Sequence, residues 1–339
     1  MSKQGQVADI RTQVVVLGAG PGGYTAAFRA ADLGQQVVLI ERYPSLGGVC
    51  LNVGCIPSKA LLHTAEVINE VAELEHMGVR YTQPKIDLEK MRAGKDKTVA
   101  KLTGGLAALA KQRKVQVVTG SGRFADPRHI EVQTTEGVTR VEFENCIIAC
   151  GSSPVKIPGF PNDDPRLITS TGALALEDIP KKMLIVGGGI IGLEMASVYA
   201  TLGSEIDIVE LLDGLIPGCD RDLVRPLQKR LEGQVESIML KTKVTDIKAQ
   251  KNGLKVSFEG AKAPDAKPEQ KPGDADANAN DADATPRSND ATEKNDRSDV
   301  IDLINQADGD DKPKDNEPKE DDPKQDDPKQ DDAKNEDAD

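Results

Sequence analysis

The chain of 339 residues has no tryptophan, 3% aromatic residues, three histidines and five cysteines. No run reaches 18 apolar residues, which excludes a membrane-spanning helix. The opening MSKQGQVADI has no apolar core, so no secretory signal is expected and a cytoplasmic location follows. Five cysteines in such a chain do not make a disulfide scaffold, and cytoplasmic thiols stay reduced unless they are catalytic. Nor is there a basic excess. Residues 1–260 carry 31 Lys and Arg against 30 Asp and Glu, which gives no electrostatic footprint for nucleic acid. Residues 261–339 carry 12 against 26, so the whole of the net charge of -13 belongs to the tail.

That tail has eight prolines and no aromatic residue. It cannot bury enough apolar surface to offset its chain entropy, and disorder is expected over 261–339. From Asn316 it reads NEPKE, DDPKQ, DDPKQ, DDAKN, and prolines at that spacing bar a regular helix. One apolar cluster interrupts it: Val300, Ile301, Leu303 and Ile304. With Ser298 as an N-cap, the cluster reads as an isolated, fluctuating turn of helix.

The first 260 residues show an α/β pattern. An apolar strand over 13–17 leads at once into GAGPGG, an Ala-rich helix ending at Leu33 and Gly34, and a second apolar strand closed by Glu41, which together form a βαβ unit. Helices are expected over about 58–78 and 88–112. An antiparallel meander is expected over 115–144, and a buried strand over 146–149. Residues 152–180 hold five prolines and read as a linker. A strand over 183–186 then opens GGGIIG, a helix ending at Leu202 and Gly203, and a strand ending in Glu210. At one fixed offset of 169 residues, Gly18 falls on Gly187, Gly20 on Gly189, Gly23 on Gly192 and Glu41 on Glu210; Ala27, Ala31, Leu33 and Gly34 also find identical partners. The folded part therefore contains two Rossmann-like dinucleotide-binding units, residues 1–152 and 153–260.

In such a unit the first glycine makes the tight turn, the second lets the backbone approach a pyrophosphate, and the third lets the helix pack on the strand. The helix N-terminus then presents free N–H groups to phosphate. Glu41 and Glu210 each follow their third glycine by 18 residues, where a carboxylate can accept ribose hydroxyls and repel a 2'-phosphate. The second site should therefore favour NAD over NADP. The segment GGVCLNVGCIPSKALL places Cys50 and Cys55 five positions apart before a helix. A zinc site lacks its other ligands. Two buried structural cysteines, or a couple alternating between dithiol and disulfide, remain. Cys146, Cys150 and Cys219 have no comparable context and read as structural.

GAGPGG with Glu41, GGVCLNVGCIPSKALL, TGGLAALAKQRKVQVVTGSGRF and GGGIIGLEMASVYATLGSEIDIVE resemble the bacterial dihydrolipoyl dehydrogenases, pyridine nucleotide-disulfide oxidoreductases that serve as E3 of 2-oxo acid dehydrogenase complexes. The resemblance covers about residues 10–262. Leu51 with Ser58 is most similar to the lipoamide enzymes. It implies FAD on the first unit, NAD on the second, and lipoyl domains as partners. Cys50 would be the interchange thiol and Cys55 the thiolate against the flavin, with Gly47 and Gly48 beside them. The resemblance also implies that Lys59 pairs with Glu194 near the flavin, that Gly122, Gly151 and Ser152 are further flavin contacts, and that Val244 is an NAD contact. It implies a homodimer whose interface domain carries a His–Glu acid/base pair. By that resemblance the first unit is incomplete and the second lacks its last strand, and neither the interface domain nor the pair is expected within this sequence, whose His63, His76 and His129 stand in other settings. A truncated or frameshifted, non-catalytic nucleotide-binding fragment is the alternative.

Overall fold

The computed structural model describes residues 8–260, 297–298 and 300–303. Strand β1 (Ala8–Leu17) runs into the first glycine loop, helix α1 (Pro21–Asp32) follows with proline in its first turn, and β2 (Val37–Glu41) is buried at all five positions. A short apolar run without alternation belongs inside a parallel sheet, where helices cover both faces. Next come α2 (Gly48–Val53), α3 (Cys55–Glu73) with a 3-10 turn at Leu74–Met77, and α4 (Leu88–Gln112). The Asp87 carboxylate accepts from the Lys90 N–H at 3.1 Å and caps α4.

Strands β3 (Gln116–Thr119), β4 (Ser121–Asp126), β5 (His129–Thr134) and β6 (Gly137–Ile148) complete a six-stranded sheet of order β3-β2-β1-β6-β5-β4. Two expectations are refined here. Residues 116–119 leave the meander and pair parallel with β2, because α4 delivers them to its open edge. The strands expected on either side of residue 145 are one twelve-residue strand, β6, which pairs parallel with β1 and antiparallel with β5.

The Pro-rich connection is not structureless. It holds β7 (Leu167–Ile168) and α5 (Ser170–Ala175). Then follow β8 (Lys182–Val186), α6 (Ile190–Leu202), β9 (Glu205–Val209), α7 (Arg221–Glu232), β10 (Ser237–Met239), β11 (Thr242–Gln250) and β12 (Gly253–Gly260). Buried residues lie all round α6, as they must in a helix enclosed by core, and the fully buried Tyr199 donates its hydroxyl to Ala173 O at 2.8 Å.

The tail contributes β13 (Arg297–Ser298) and β14 (Val300–Leu303). The turn of helix expected at 300–304 is therefore extended over 300–303, and Ile304 lies outside the described residues. β14 stands between β8 and β7 in a parallel sheet of order β10-β9-β8-β14-β7, the position the sequence left without a strand. β11, β12 and β13 form a separate antiparallel sheet. The expected disorder of the tail falls otherwise on residues outside those described. Among the described residues no helix is long and apolar enough to cross a membrane.

Candidate active site

Only Gly54 separates α2 from α3, and this break brings two cysteines together. Cys50 lies within α2, Cys55 is the first residue of α3, and they are joined as a disulfide with Cα atoms 4.6 Å apart. A side chain at Gly54 would meet Val49 O at 2.9 Å, so the tight helix-to-helix step needs glycine. Cys50 is partly buried and Cys55 exposed, so the pair is a bridged one at the surface of a cavity and not two separate buried thiols. Cys55 sits at a helix N-terminus, where unpaired N–H groups favour a thiolate when the bond is opened.

The disulfide lines an open cavity of about 610 Å³. Gly18, Gly20, Glu41, Gly48, Gly122, Gly151, Ser152, Lys59 and Glu194 line the same cavity. Lys59 Nζ lies 2.5 Å from Glu194 Oε1, an ion pair joining α3 to α6. Gly23 and Gly47 stand outside the lining and shape it from behind. A Cβ on Gly23 would sit 1.8 Å from Gly18 O, so α1 approaches β1 as closely as the motif implies. Gly47 takes φ of 107° and donates its N–H to Ala19 O at 2.8 Å, holding the cysteine segment against the glycine loop.

Gly187, Gly189, Gly192, Glu210 and Val244 belong to the second unit and do not line this cavity. Val244 is partly buried against the cluster of Met239, Ile247 and Val256. The two acids hold identical positions. Glu41 accepts from Ala19 N–H at 2.8 Å and Tyr43 N–H at 3.1 Å. Glu210 accepts from Gly188 N–H at 2.6 Å and Leu212 N–H at 2.8 Å. Both are buried, and each ties its glycine loop to the strand end. This backbone-holding task was not visible in the spacing, because its partners are N–H groups that every residue carries.

Sequence reasoning also missed Cys150, which is exposed in the cavity wall, and Ile190, Ile191 and Met195, which α6 brings in from the second unit. Cys146 is partly buried, and that burial pushes its thiol up. No histidine among the described residues lines the cavity. His63 lines a neighbouring groove of about 750 Å³ between α3 and α4, and His129 Nδ1 lies 2.8 Å from Asp126 on the meander. Hydrogen bonds from the Arg128 N–H and the His129 ring hold the Asp126 carboxyl below its ordinary value.

The family model described as pyridine nucleotide-disulphide oxidoreductase matches residues 12–267. A dihydrolipoyl dehydrogenase of Vibrio cholerae is 56% identical over 256 residues, covering 76% of this chain and 54% of the relative. That of Haemophilus influenzae is 54% identical over 260 residues, with the same 76% and 54% covered. The chain thus spans about half the length of the curated relatives it matches. A Cu(II) complex of the HOCl-induced flavoprotein disulfide reductase RclA from Escherichia coli superposes with a TM-score of 0.66 at 26% identity, covering 87% of this chain and 56% of that one. With two glycine-loop units and a disulfide at the first of them, the chain belongs to the pyridine nucleotide-disulphide oxidoreductase family.

Proposed function

We propose that this chain is a flavin-dependent disulfide oxidoreductase of the dihydrolipoyl dehydrogenase type, with FAD on residues 1–152, NAD on residues 153–260, and dihydrolipoamide of a lipoyl domain as thiol substrate in the cytoplasm. One observation carries the reading: the Cys50–Cys55 disulfide and the first glycine loop line a single cavity. The cavity fits a dinucleotide. A Cβ on Gly48 would lie 2.6 Å from Gly20 Cα, so the glycine loop and the cysteine helix meet backbone to backbone, and both present bare backbone to the cavity. Glu41 at one end keeps lone pairs free beyond its two backbone bonds and can accept from a ribose. Gly187, Gly189, Gly192 and Glu210 repeat that arrangement for NAD, and Val244 would lie beside it.

A dihydrolipoyl thiolate would attack Cys50 Sγ, forming a mixed disulfide and releasing Cys55 as thiolate at the α3 N-terminus. The second dihydrolipoyl thiol would displace Cys50, leaving lipoamide oxidised by two electrons and the cysteine pair reduced by two. Bound FAD would supply the redox carrier between that pair and the nicotinamide. Lys59, held by Glu194, would place a cation near the flavin, Gly122, Gly151 and Ser152 would complete the flavin's cradle, and Gly47 would hold the cysteine segment against it from behind.

A second reading, a nucleotide-binding chain without turnover, is favoured by the lack of a histidine in the cavity lining among the described residues. Without a positioned proton acceptor, turnover should be about 10² to 10⁴ times slower. The two are separated by following NADH formation from dihydrolipoamide with FAD present. Formation that disappears in Cys50→Ser supports the oxidoreductase. Nucleotide binding with no NADH supports the second reading, and NADH formation persisting in Cys50→Ser overturns the disulfide's role.

A further inference from the structure

Residues 261–339 contain four large aliphatic side chains in all, Val300, Ile301, Leu303 and Ile304. Three of them fall in the short strand that the tail places in a parallel sheet. Ile301 stands opposite both Leu184 of β8 and Leu167 of β7, Asp302 opposite Ile185 and Ile168, and Leu303 opposite Val186. We infer that the tail is a strand donor: residues 300–303 close the sheet of the second unit and hold its glycine loop in register.

The β8 sequence MLIV is apolar without alternation, and Met183, Leu184 and Ile185 are buried, the pattern of a strand inside a parallel sheet covered on both faces. With β9 alone beside it, β8 would present a bare row of N–H and C=O groups. β7 has no partner but β14 among the described residues. A parallel strand is held chiefly by backbone bonds, so a segment unlike the family can serve if it is short, extended and rich in β-branched residues. The family match ends at residue 267, which leaves 300–303 outside it.

The geometry of the connection allows this. Thirty-six residues, 261–296, separate β12 from β13. They reach up to about 120 Å when extended. A parallel crossover needs about a dozen residues. β13 pairs antiparallel with β12, Lys255 opposite Ser298 and Val256 opposite Arg297, and so leads the chain to the slot. Because Leu303 stands opposite Val186, the donated strand ends one residue before Gly187, the first glycine of the second loop. The inference goes beyond the nucleotide reading and does not depend on it.

The test compares two proline substitutions in the full chain. Ile301→Pro removes a strand N–H, whereas Ala333→Pro places a proline where the neighbouring DDPKQ repeats already have one. Amide hydrogen exchange at residues 183–186 is expected to rise about tenfold or more in Ile301→Pro and to stay unchanged in Ala333→Pro. A synthetic peptide of residues 296–305 added to Ile301→Pro should restore protection. Failure of Ile301→Pro to fold, with Ala333→Pro folding normally, supports the inference as well. Unchanged β8 exchange in Ile301→Pro overturns it. Protection that depends on protein concentration also overturns it, because the strand would then come from a second copy. If the original chain binds no NAD, the nucleotide reading fails while the exchange result still stands.

Discussion

The two glycine-loop units repeat a hydrogen-bond set as well as a motif. Gly18 donates to Ile40 O and Gly187 to Val209 O, both at 2.8 Å; Ala19 and Gly188 donate to the acid; Tyr43 and Leu212 donate to its other oxygen. Gly47 donates to Ala19 O and Ile216 to Gly188 O, at 2.8 and 2.9 Å. Each of these pairs obeys the offset of 169 residues. The covers differ. In the first unit the residue after the acid's loop is followed by Gly48 and the cysteine helix, which close over the cavity. In the second unit the corresponding segment is gripped by Arg221, which donates to Leu215 O at 2.8 Å and to Ile216 O at 2.6 Å. Ile216 takes φ of 44° where the first unit has glycine, so that unit accepts backbone strain of about 1 to 2 kcal/mol. The comparison teaches that a common staple sets the loop and the insert after it sets the chemistry.

The largest expected effect breaks the units apart functionally. Cys50→Ser and Cys55→Ser should each abolish thiol-linked NADH formation while leaving NAD affinity, read by calorimetric titration, within about twofold. Equal loss of both would mean that the units are not separable. Next come the third glycines. Gly23→Ala places a methyl 1.8 Å from Gly18 O, and Gly192→Ala places one 2.5 Å from Gly187 O. Thermal unfolding should show costs of about 3 and about 1 to 2 kcal/mol. The reverse order would contradict the packing. Glu41→Gln and Glu210→Gln each trade one acceptor oxygen for a donor facing a backbone N–H, at about 1 to 2 kcal/mol. Glu210→Gln should also narrow the preference for NAD over NADP, and Glu41→Gln should leave it alone.

The smallest effect lies in the connection between the units. A side-chain hydrogen bond from Arg166 brings the Asp164 carboxyl from 3.8 down to about 2. A lowered carboxylate contributes stability that is present above its unfolded value and lost as pH falls through the folded one. Stability should therefore decline over roughly pH 3.8 to 2, and Arg166→Met should flatten that part of the unfolding profile. An unchanged profile would remove the pair from the account.

Much of this was legible in the sequence because glycine spacing encodes backbone contacts that no other residue permits. Gly18, Gly23, Gly187 and Gly192 fall where helix meets strand, and Cys55 falls at a helix start with Cys50 five positions before it. What was not legible depended on partners far along the chain. The acids' N–H partners leave no mark on composition, and the cavity's Ile190 and Ile191 arrive from another unit. A run such as Val300–Leu303 is too short for periodicity to separate strand from helix, and only an open place between β8 and β7 decides it. α5 escaped notice because the prolines on both sides of it dominate the reading of that stretch.

The central claim is that residues 1–260 build a flavin cradle around the Cys50–Cys55 couple. The visible absorption spectrum of the purified chain, recorded before and after anaerobic addition of a dithiol, tests it most directly. The expected result is a flavin spectrum that gains a long-wavelength thiolate band on reduction and lacks that band in Cys55→Ser. A protein that stays colourless after reconstitution with FAD would contradict it.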